Sequence, residues 1–434
     1  MASSNFITAL RTLQTGEFYA DLRQRPRYYA RLCSYYLVHL LAFLIPLNRR
    51  WVPLCIALLL ITSAFESSPV QKWRNLMKRK QYFFLFISLY LVHVAGMFYS
   101  TNWDYGLFDL EVKSSIFIIP IILLTTGFLN RFRTEKVLST FVMGCLVGVL
   151  VSFFRAVYYY YRTGELQHFY YHEFTFEHHP SYFSMYINLS LCILIKFFFD
   201  QKNRFRLRYF IMMTIFILAN FQLASRNGIL CMIAILTFTF FYLILPRIKW
   251  KKSLLGLIIT LGISTLVLYN SNYSINRFAS AAEELTSNNP VLKQNSAGIR
   301  AEIWKLGYSR FQQDPIAGVG TGDVGDEFIK KYREVGLTKA LIKNLNAHNQ
   351  YMQTSVALGV IGLLILLLNL AYPFIQSFRK NHLIYGFFIF VFGFSLLTES
   401  MLETQAGVVF FAMFQSLLVL AFPNPSQNTP GIPS

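Results

Sequence analysis

The sequence predicts an all-α integral membrane protein with about twelve transmembrane helices and one large, mostly helical loop on the outer face. Three observations predict this fold class: 54% of the 434 residues are hydrophobic, 14% are charged, and runs such as 253–270 and 351–371 carry no charge. A soluble domain carries roughly 25% charged residues. Each uncharged run is close to the ~20 residues with which a helix crosses the hydrocarbon core.

Hydropathy predicts nine spans before the large loop and three after it. These spans are 33–47, 51–66, 81–99, 114–129, 136–160, 181–199, 207–223, 227–246, 253–270, 351–374, 384–397 and 407–422. The predicted organisation is a cytoplasmic segment, nine spans, an outer loop domain, three spans and a disordered cytoplasmic tail. Their boundaries are 1–32, 33–270, 271–350, 351–422 and 423–434.

The orientation follows from the positions of Lys and Arg, which accumulate in cytoplasmic loops. If the N-terminus is cytoplasmic, the short inner segments hold 24 of these residues and the short outer segments hold six. The other ten lie in 271–350 beside eight acids. Long loops of this kind contribute little to the rule. The asymmetry predicts that both termini face the cytoplasm and that the 271–350 loop faces outward.

The net charge of +19 does not indicate nucleic-acid binding, because the charges lie in short loops between apolar segments. Lipid headgroups are the expected partners of such loops. Membrane lipids are therefore a predicted partner and nucleic acid is not.

The outer loop is predicted to be mainly helical. Residues 299–313 carry apolar side chains at near-helical spacing, and Asp314-Pro315 ends that helix. The glycine-rich run 318–325 has nucleotide-loop-like spacing but follows no strand, as the dinucleotide fingerprint would require. It is interpreted as a flexible turn.

Arg226 and Arg300 are candidates for binding an anion. Arg226 lies at a tight outer turn before a span, and Arg300 lies at the start of the outer-loop helix. An arginine at a membrane boundary needs a partner, water or an anion, and its planar fork grips two phosphate oxygens at once. The structural alternatives are headgroup contact for Arg226 and a helix-face ion pair with Glu302 or a neighbouring acid for Arg300.

His348 lies where the outer loop re-enters the membrane, immediately before the uncharged run 351–371. A neutral imidazole there can accept a proton, because imidazole titrates near working pH. A simple polar boundary residue is the alternative. Asn349 and Tyr351 beside it are candidate substrate-binding residues.

Two outer segments supply accessory candidates. The loop 162–180 is rich in histidine, and His168 and His172 are one helical turn apart, but no recognised metal-ligand pattern is present. No metal site is predicted. Glu399 and Glu403 flank the last outer turn. They are interpreted either as charge partners for the arginines or as ordinary polar residues at the membrane boundary. The accessory candidates from both segments are His178, His179, Glu399 and Glu403.

Five short motifs follow one another along the second half of the chain. They are Ser225-Arg226-Asn227-Gly228, Arg300 to Trp304, Asp314-Pro315-Ile316-Ala317-Gly318-Val319-Gly320, Ala347-His348-Asn349-Gln350-Tyr351 and Gly359-Val360-Ile361-Gly362. Together they resemble the O-antigen ligase and polymerase family of bacterial membrane glycosyltransferases, over 220–410. Before that the resemblance is topological, and Asn227 replaces the glycine that usually follows the arginine. The span layout resembles the ligase branch.

The resemblance implies an inner-membrane enzyme of lipopolysaccharide biosynthesis. Such enzymes move a glycan from an undecaprenyl-pyrophosphate carrier to an acceptor hydroxyl at the periplasmic face, with lipid A-core as the favoured acceptor. By position, His348 is the base that activates the hydroxyl, and Arg226 and Arg300 hold the pyrophosphate. The implied reaction is a one-step inverting displacement that needs neither metal nor cofactor.

Three other functions stay open from the sequence. An O-antigen polymerase and a protein O-oligosaccharyltransferase share the arginine and histidine motifs. A non-enzymatic flippase for lipid-linked sugars is a different class, and it is expected to carry charges along a cavity at mid-membrane. The predicted spans are nearly uncharged at their centres, whereas their outer boundaries are rich in charge, which favours surface chemistry.

Overall fold

A computed structural model describes residues 16–200, 206–244, 279–280, 283 and 296–422 of the chain. The regular structure in these residues is helical, and no strand occurs among them. The predicted all-α class is confirmed for this part of the chain.

The helices are numbered along the described residues. The first eight are α1 (Gly16–Leu44), α2 (Val52–Phe65), α3 (Pro69–Met77), α4 (Lys80–Met97), α5 (Trp103–Lys113), α6 (Ser115–Thr125), α7 (Arg131–Thr163) and α8 (Tyr171–Phe174). The next three are α9 (Pro180–Phe199), α10 (Arg206–Leu223) and α11 (Arg226–Phe238), which continues as a π-helix over Thr239–Ile244. The last six are α12 (Ser296–Gln313), α13 (Val324–Glu334), α14 (Thr338–Ile342), α15 (Gln350–Arg379), α16 (Leu383–Ser395) and α17 (Gln405–Leu420).

Within the described residues, five helices are long and apolar enough to cross a membrane, namely α4, α7, α9, α11 with its extension, and α15. A sixth is added if α2 and α3, which bend by 108°, form one span. Eleven of the twelve predicted spans fall on described helices, and 253–270 lies outside the described residues. The count falls short of twelve partly because α6, α16 and α17 have 11, 13 and 16 residues, fewer than the ~20 that a straight span needs.

Helix α9 lies at the centre of the bundle, in contact with α7, α10, α11 and α16. Of the residues in the 18-residue apolar stretch of this helix, 83% are buried. The polar side chains inside this contact satisfy one another: Asn220 donates to Asn188 at 3.2 Å, and Ser184 donates to Asn220 at 2.5 Å. Such interhelical hydrogen bonds satisfy polar side chains that have no access to water. They fix α9 and α10 against each other.

The outer-loop helices form a smaller core on the first turns of α15. Ile303, Phe328 and Tyr332 are buried there with Val356 and Leu358. The amphipathic helix α13 turns its apolar side chains toward this core and carries its charges on the other face. The part of the outer loop that the structure describes is therefore packed on the start of α15.

Helix α15 is broken at Gly359, where the backbone has φ 62° and ψ −158°. The segment 315–320 crosses the break and hydrogen bonds to it: Gly320 N donates to Ala357 O at 2.8 Å, and Val360 N donates to Pro315 O at 2.8 Å. A Cβ on Gly359 would lie 2.2 Å from Ile316 O. The glycine-rich run therefore packs tightly against α15, and the expectation of a flexible turn is wrong because its backbone is bonded there. Glycine is required for this close approach.

The predicted orientation can be measured at two exposed positions, Lys343 before α15 and Arg379 at its end. With the exposed Cys33 replaced by Ser, an impermeant thiol reagent should label Lys343→Cys and not Arg379→Cys in intact spheroplasts. The reason is that α15 carries the chain across the membrane between them. Permeabilised cells provide the control, because both positions should then react. Labelling of Arg379→Cys alone in intact spheroplasts would reverse the predicted topology.

Candidate active site

His348 occupies a fixed and strained position at the entry to α15. Its φ is 46°, a value that non-glycine residues adopt at a cost of order 1–3 kcal/mol and that recurs at functional sites. The preceding residue is held on both sides: Ala347 N donates to Gln353 Oε1 at 3.1 Å, and Ala347 O accepts from Trp304 Nε1 at 2.9 Å. The imidazole is therefore presented by a backbone that cannot easily relax.

Glu399, in the turn between α16 and α17, brings three distant side chains together. Its Oε2 lies 3.0 Å from His348 Nδ1, and its Oε1 accepts from Arg300 Nη2 at 2.7 Å and from Ser181 Oγ at 3.1 Å. The Glu399 side chain is 8% exposed, whereas those of His348 and Arg300 are 24% and 29% exposed. A buried carboxylate thus holds two accessible functional groups side by side.

The charge of Glu399 is secured by these contacts. Burial alone would raise the pKa of Glu399, but the hydrogen bond with His348 and the charge of Arg300 outweigh it and lower the pKa to about 2. An ionised carboxylate accepts hydrogen bonds and donates none. His348 Nδ1 must therefore carry the proton of the shared hydrogen bond, and the lone pair of the neutral ring is on Nε2. This is the tautomer that a general base requires.

His179 lies close to this group at the start of α9. Its Nδ1 accepts from Ser181 N at 3.2 Å. Burial lowers the pKa of His179 to about 4; Glu399 opposes the shift, while Arg300 and His348 add to it. A neutral His179 therefore lies within electrostatic reach of the Glu399 group. His178 is not brought there: it packs against Tyr186, with ring centroids 5.4 Å apart.

Arg226 is the first residue of α11, and the contacts around it place this helix start at the same end of the bundle. Ser225 caps the helix by accepting from Gly228 N at 3.3 Å, and Asn227 Nδ2 donates to Phe394 O, near the end of α16, at 3.4 Å. A Cβ on Gly228 would lie 1.8 Å from Ser184 Oγ on α9. The Ser-Arg-Asn-Gly motif thus combines a helix cap with the close contact of two helices.

A buried ionic network supports the turn that carries Glu399. Lys113 binds Asp109 and, at 3.1 Å, Glu403 Oε1. Gln350 donates to Glu403 Oε1 at 3.2 Å and accepts from Leu402 N at 2.8 Å. The network joins the end of α5, the start of α15 and the 399–403 turn. Glu403 therefore pairs with a lysine, whereas Glu399 is the acid that pairs with an arginine.

Comparison with known proteins gives the family of this site. Residues 209–367 match the family model described as O-Antigen ligase. Residues 209–367 thus carry an O-antigen ligase domain. The family inferred from the motifs is thereby confirmed, and the matched range contains Arg226, Arg300 and His348.

One curated relative of this chain is an uncharacterized protein of Haemophilus influenzae, 26% identical over 200 residues. The match covers 44% of this chain and 48% of the relative. The chain thus spans about half the length of the curated relative it matches.

Three residues at the site or in its supporting network were not selected from the sequence: Ser181, Asp109 and Lys113. Each lies outside the matched range, as does Glu399. Asp109 and Lys113 are four residues apart at the edge of an apolar run, a spacing that indicates a helical ion pair at the membrane boundary. Ser181 carried no signal of its own.

Asn349 and Tyr351, the candidate substrate-binding residues beside His348, make structural contacts. The Asn349 side chain caps α15 by accepting from Met352 N at 3.1 Å. The Tyr351 hydroxyl donates to Gly393 O at 2.9 Å and so joins α15 to α16. Both residues contribute to the frame around His348.

The histidine-rich loop does not assemble a metal-ligand cluster. Among the described residues, no group of three or more His, Cys, Asp or Glu side chains is placed to hold an ion. His168 instead bonds to Thr163 at 3.0 Å and packs against Tyr159.

Proposed function

We propose that this chain is an O-antigen ligase-like glycosyltransferase. It transfers a glycan from undecaprenyl pyrophosphate to an acceptor hydroxyl, with lipid A-core as the favoured acceptor, at the periplasmic face of the inner membrane. The observation that carries the proposal is the convergence of His348 and Arg300 on Glu399. This arrangement pairs an oriented base with a cation suited to a pyrophosphate leaving group.

The proposed step is a single inverting displacement. The acceptor hydroxyl oxygen attacks the anomeric carbon of the donor sugar, and its proton moves to Nε2 of His348. Glu399 holds Nδ1 and stabilises the imidazolium that forms, as an acid does in other acid–histidine pairs. The bond between the anomeric carbon and the pyrophosphate oxygen breaks, and the electron pair leaves with the lipid pyrophosphate.

Arg300 and Arg226 are assigned to the leaving group. Negative charge grows on the pyrophosphate as the bond breaks, and preorganised guanidinium groups stabilise such charge strongly in a site that excludes water. Arg300 donates through Nη2 to Glu399, so its guanidinium group is held beside His348 before the donor binds. Arg226 adds a second fork at a helix N-terminus, where backbone N–H groups also favour anions. Two guanidinium groups supply the charge that a metal would otherwise provide, so the reaction is proposed to be metal-independent and to use no cofactor.

Deletion of the gene and complementation test this function. A strain without the gene should show lipid A-core without polysaccharide on gels and should accumulate carrier-linked polymer, and the wild-type gene should restore capping. Arg226→Lys and Arg300→Lys should restore it poorly, because lysine cannot bind two oxygens in one plane. A matched control is Arg162→Lys, an exposed arginine over the Tyr158 ring, which should complement fully.

Two outcomes of this experiment would contradict the proposal. Core that bears a single glycan repeat in the deletion strain would identify a polymerase. Full complementation by both lysine variants at normal expression would remove the arginines from the reaction.

A further inference from the structure

A cavity of about 840 Å³ lies at the bend between α2 and α3. Glu66 and Ser67 line it at the bend, Arg31 lines it from α1, and Phe128 and Arg133 line it from the α6–α7 junction. It is far larger than a packing defect between helices, which rarely exceeds the size of a water molecule.

This cavity lies at the end of the bundle opposite the candidate active site. Helix α9 connects the two regions: Ser181 near its start contacts Glu399, and Lys196 near its end contacts Glu135 at 2.8 Å. Glu135 is adjacent to Lys136, which lines the cavity. The two contacts are fifteen residues apart on α9, or about 22 Å along a helix. The cavity is therefore separate from the transfer site and does not depend on the proposed reaction.

Two buried polar side chains at the cavity have no hydrogen-bond partner among the described residues. Both carboxylate oxygens of Glu66, which is 1% exposed, are unsatisfied, and so is the hydroxyl of Ser67, which is 9% exposed. Thr126 lies close enough to interact with the Glu66 carboxylate, and Lys72 and Arg31 add positive charge nearby, but neither oxygen has a well-formed hydrogen bond to a described residue. A buried unpaired carboxylate is costly. The cost is removed when a ligand brings a donor into the cavity.

Among the described residues, three cations line the same cavity, namely Arg31, Arg133 and Lys136. Arg31 donates through Nε to the Glu66 main-chain oxygen at 2.9 Å. Arg133 lies 6.0 Å from the centre of the Tyr35 ring, and Lys136 lies 4.6 Å from that of Phe132. In the part of the chain that the structure describes, the lining thus combines a positive, aromatic wall with one buried negative group, Glu66. A ligand that complements both carries an anionic group and a cationic donor.

The surroundings of the cavity are those of a membrane interface. Tyr28 and Tyr36, both 62% exposed, line its mouth from α1. The adjacent face of α2 exposes Ile61 and Phe65 at 58% and 68%. Tyrosine rings are enriched at headgroup level and apolar side chains face the acyl chains. A ligand in this cavity can therefore extend apolar chains along α2 into the bilayer.

We propose that this cavity binds the headgroup of a zwitterionic glycerophospholipid that carries an ammonium, such as phosphatidylethanolamine. The phosphate diester lies against Arg31, Arg133 and Lys136, and the ammonium donates to Glu66. The acyl chains leave between the exposed apolar side chains of α1 and α2. A purely anionic lipid satisfies the cations but brings no opposite charge to Glu66.

Native mass spectrometry of the full-length protein in detergent tests the proposal with dioleoyl phosphatidylethanolamine and dioleoyl phosphatidylglycerol as probes. The wild type should retain phosphatidylethanolamine roughly tenfold better, a difference of about 1.4 kcal/mol. Glu66→Gln should abolish this preference, because the amide has no charge for the ammonium. Lys136→Gln should weaken both lipids alike, because both contain the phosphate. Lys78→Gln, an exposed lysine at the end of α3, is the control and should change neither.

Three results would overturn the proposal. They are equal retention of the two lipids by the wild type, an unchanged preference in Glu66→Gln, and displacement of the lipid by millimolar inorganic phosphate, which would indicate a site for a soluble anion. Lys136→Gln gives an independent result if Glu66→Gln does not fold. Unaltered binding of both lipids in Lys136→Gln would also contradict the assigned phosphate contact.

Discussion

His348→Gln should lower the transfer rate of the purified protein by about 10²–10⁴-fold, the usual contribution of general-base catalysis. An amide can orient a hydroxyl but cannot take its proton, so His348→Ala and His348→Gln should be similarly inactive. Transfer by the wild type should fall on acidification, because a protonated imidazole has no lone pair to offer. The measurement is single-turnover transfer from a lipid-linked donor across a range of pH.

The matched control is His172→Gln, the same change at an exposed histidine of the neighbouring outer loop, which should keep wild-type activity. Donor binding should be unaltered in the His348 variants, since the pyrophosphate is assigned to Arg226 and Arg300, and the amide of His348→Gln can still donate to Glu399. If His348→Gln remains within a few-fold of the wild type, His348 only orients the acceptor, and His179 becomes the next candidate base.

Glu399→Gln should reduce transfer by at least about 10²-fold, although Glu399 is not expected to touch the substrate. The amide keeps the shape of the side chain but loses the charge that orients His348 Nδ1, supports its protonation and holds Arg300. The loss should appear in kcat, and the pH profile should change with it. A residue that served only to stabilise the fold would not alter the pH profile.

The wild type should also lose stability in acid through Glu399. Because the folded-state pKa of Glu399 is lowered to about 2, its contribution is present above the ordinary pKa of about 4.3 and is lost as pH falls toward 2. Thermal unfolding in detergent should therefore show a smaller decline from pH 5 to pH 3 in Glu399→Gln than in the wild type. Glu302→Gln, which removes a pairing with Lys305 on the same helix as Arg300, should decline as the wild type does. Equal acid sensitivity of Glu399→Gln and the wild type would contradict the assigned ion pair.

The sequence alone determined the helical membrane class, the helix positions and the family. These properties depend on local sequence, because uncharged runs of span length, helix caps and short motifs can be identified without reference to distant residues. For the same reason Arg226, Arg300 and His348 could be selected from motifs, since each lies in a short stretch of recognisable composition.

Tertiary structure decided which of these groups act together. Glu399 is 51 residues from His348, 99 from Arg300 and 218 from Ser181, and no local pattern distinguishes it from Glu403, which is directed to Lys113 instead. The packing of α9, α15 and the 396–404 turn makes that distinction. The segment 315–320, which includes the start of the glycine-rich run 318–325, gives the same lesson, because the sequence of that run is compatible with a flexible turn. It becomes rigid only where the break at Gly359 in α15 offers the backbone groups with which it pairs. Local sequence sets what each segment can form, whereas burial and hydrogen bonding between distant segments select the pairs that share a site.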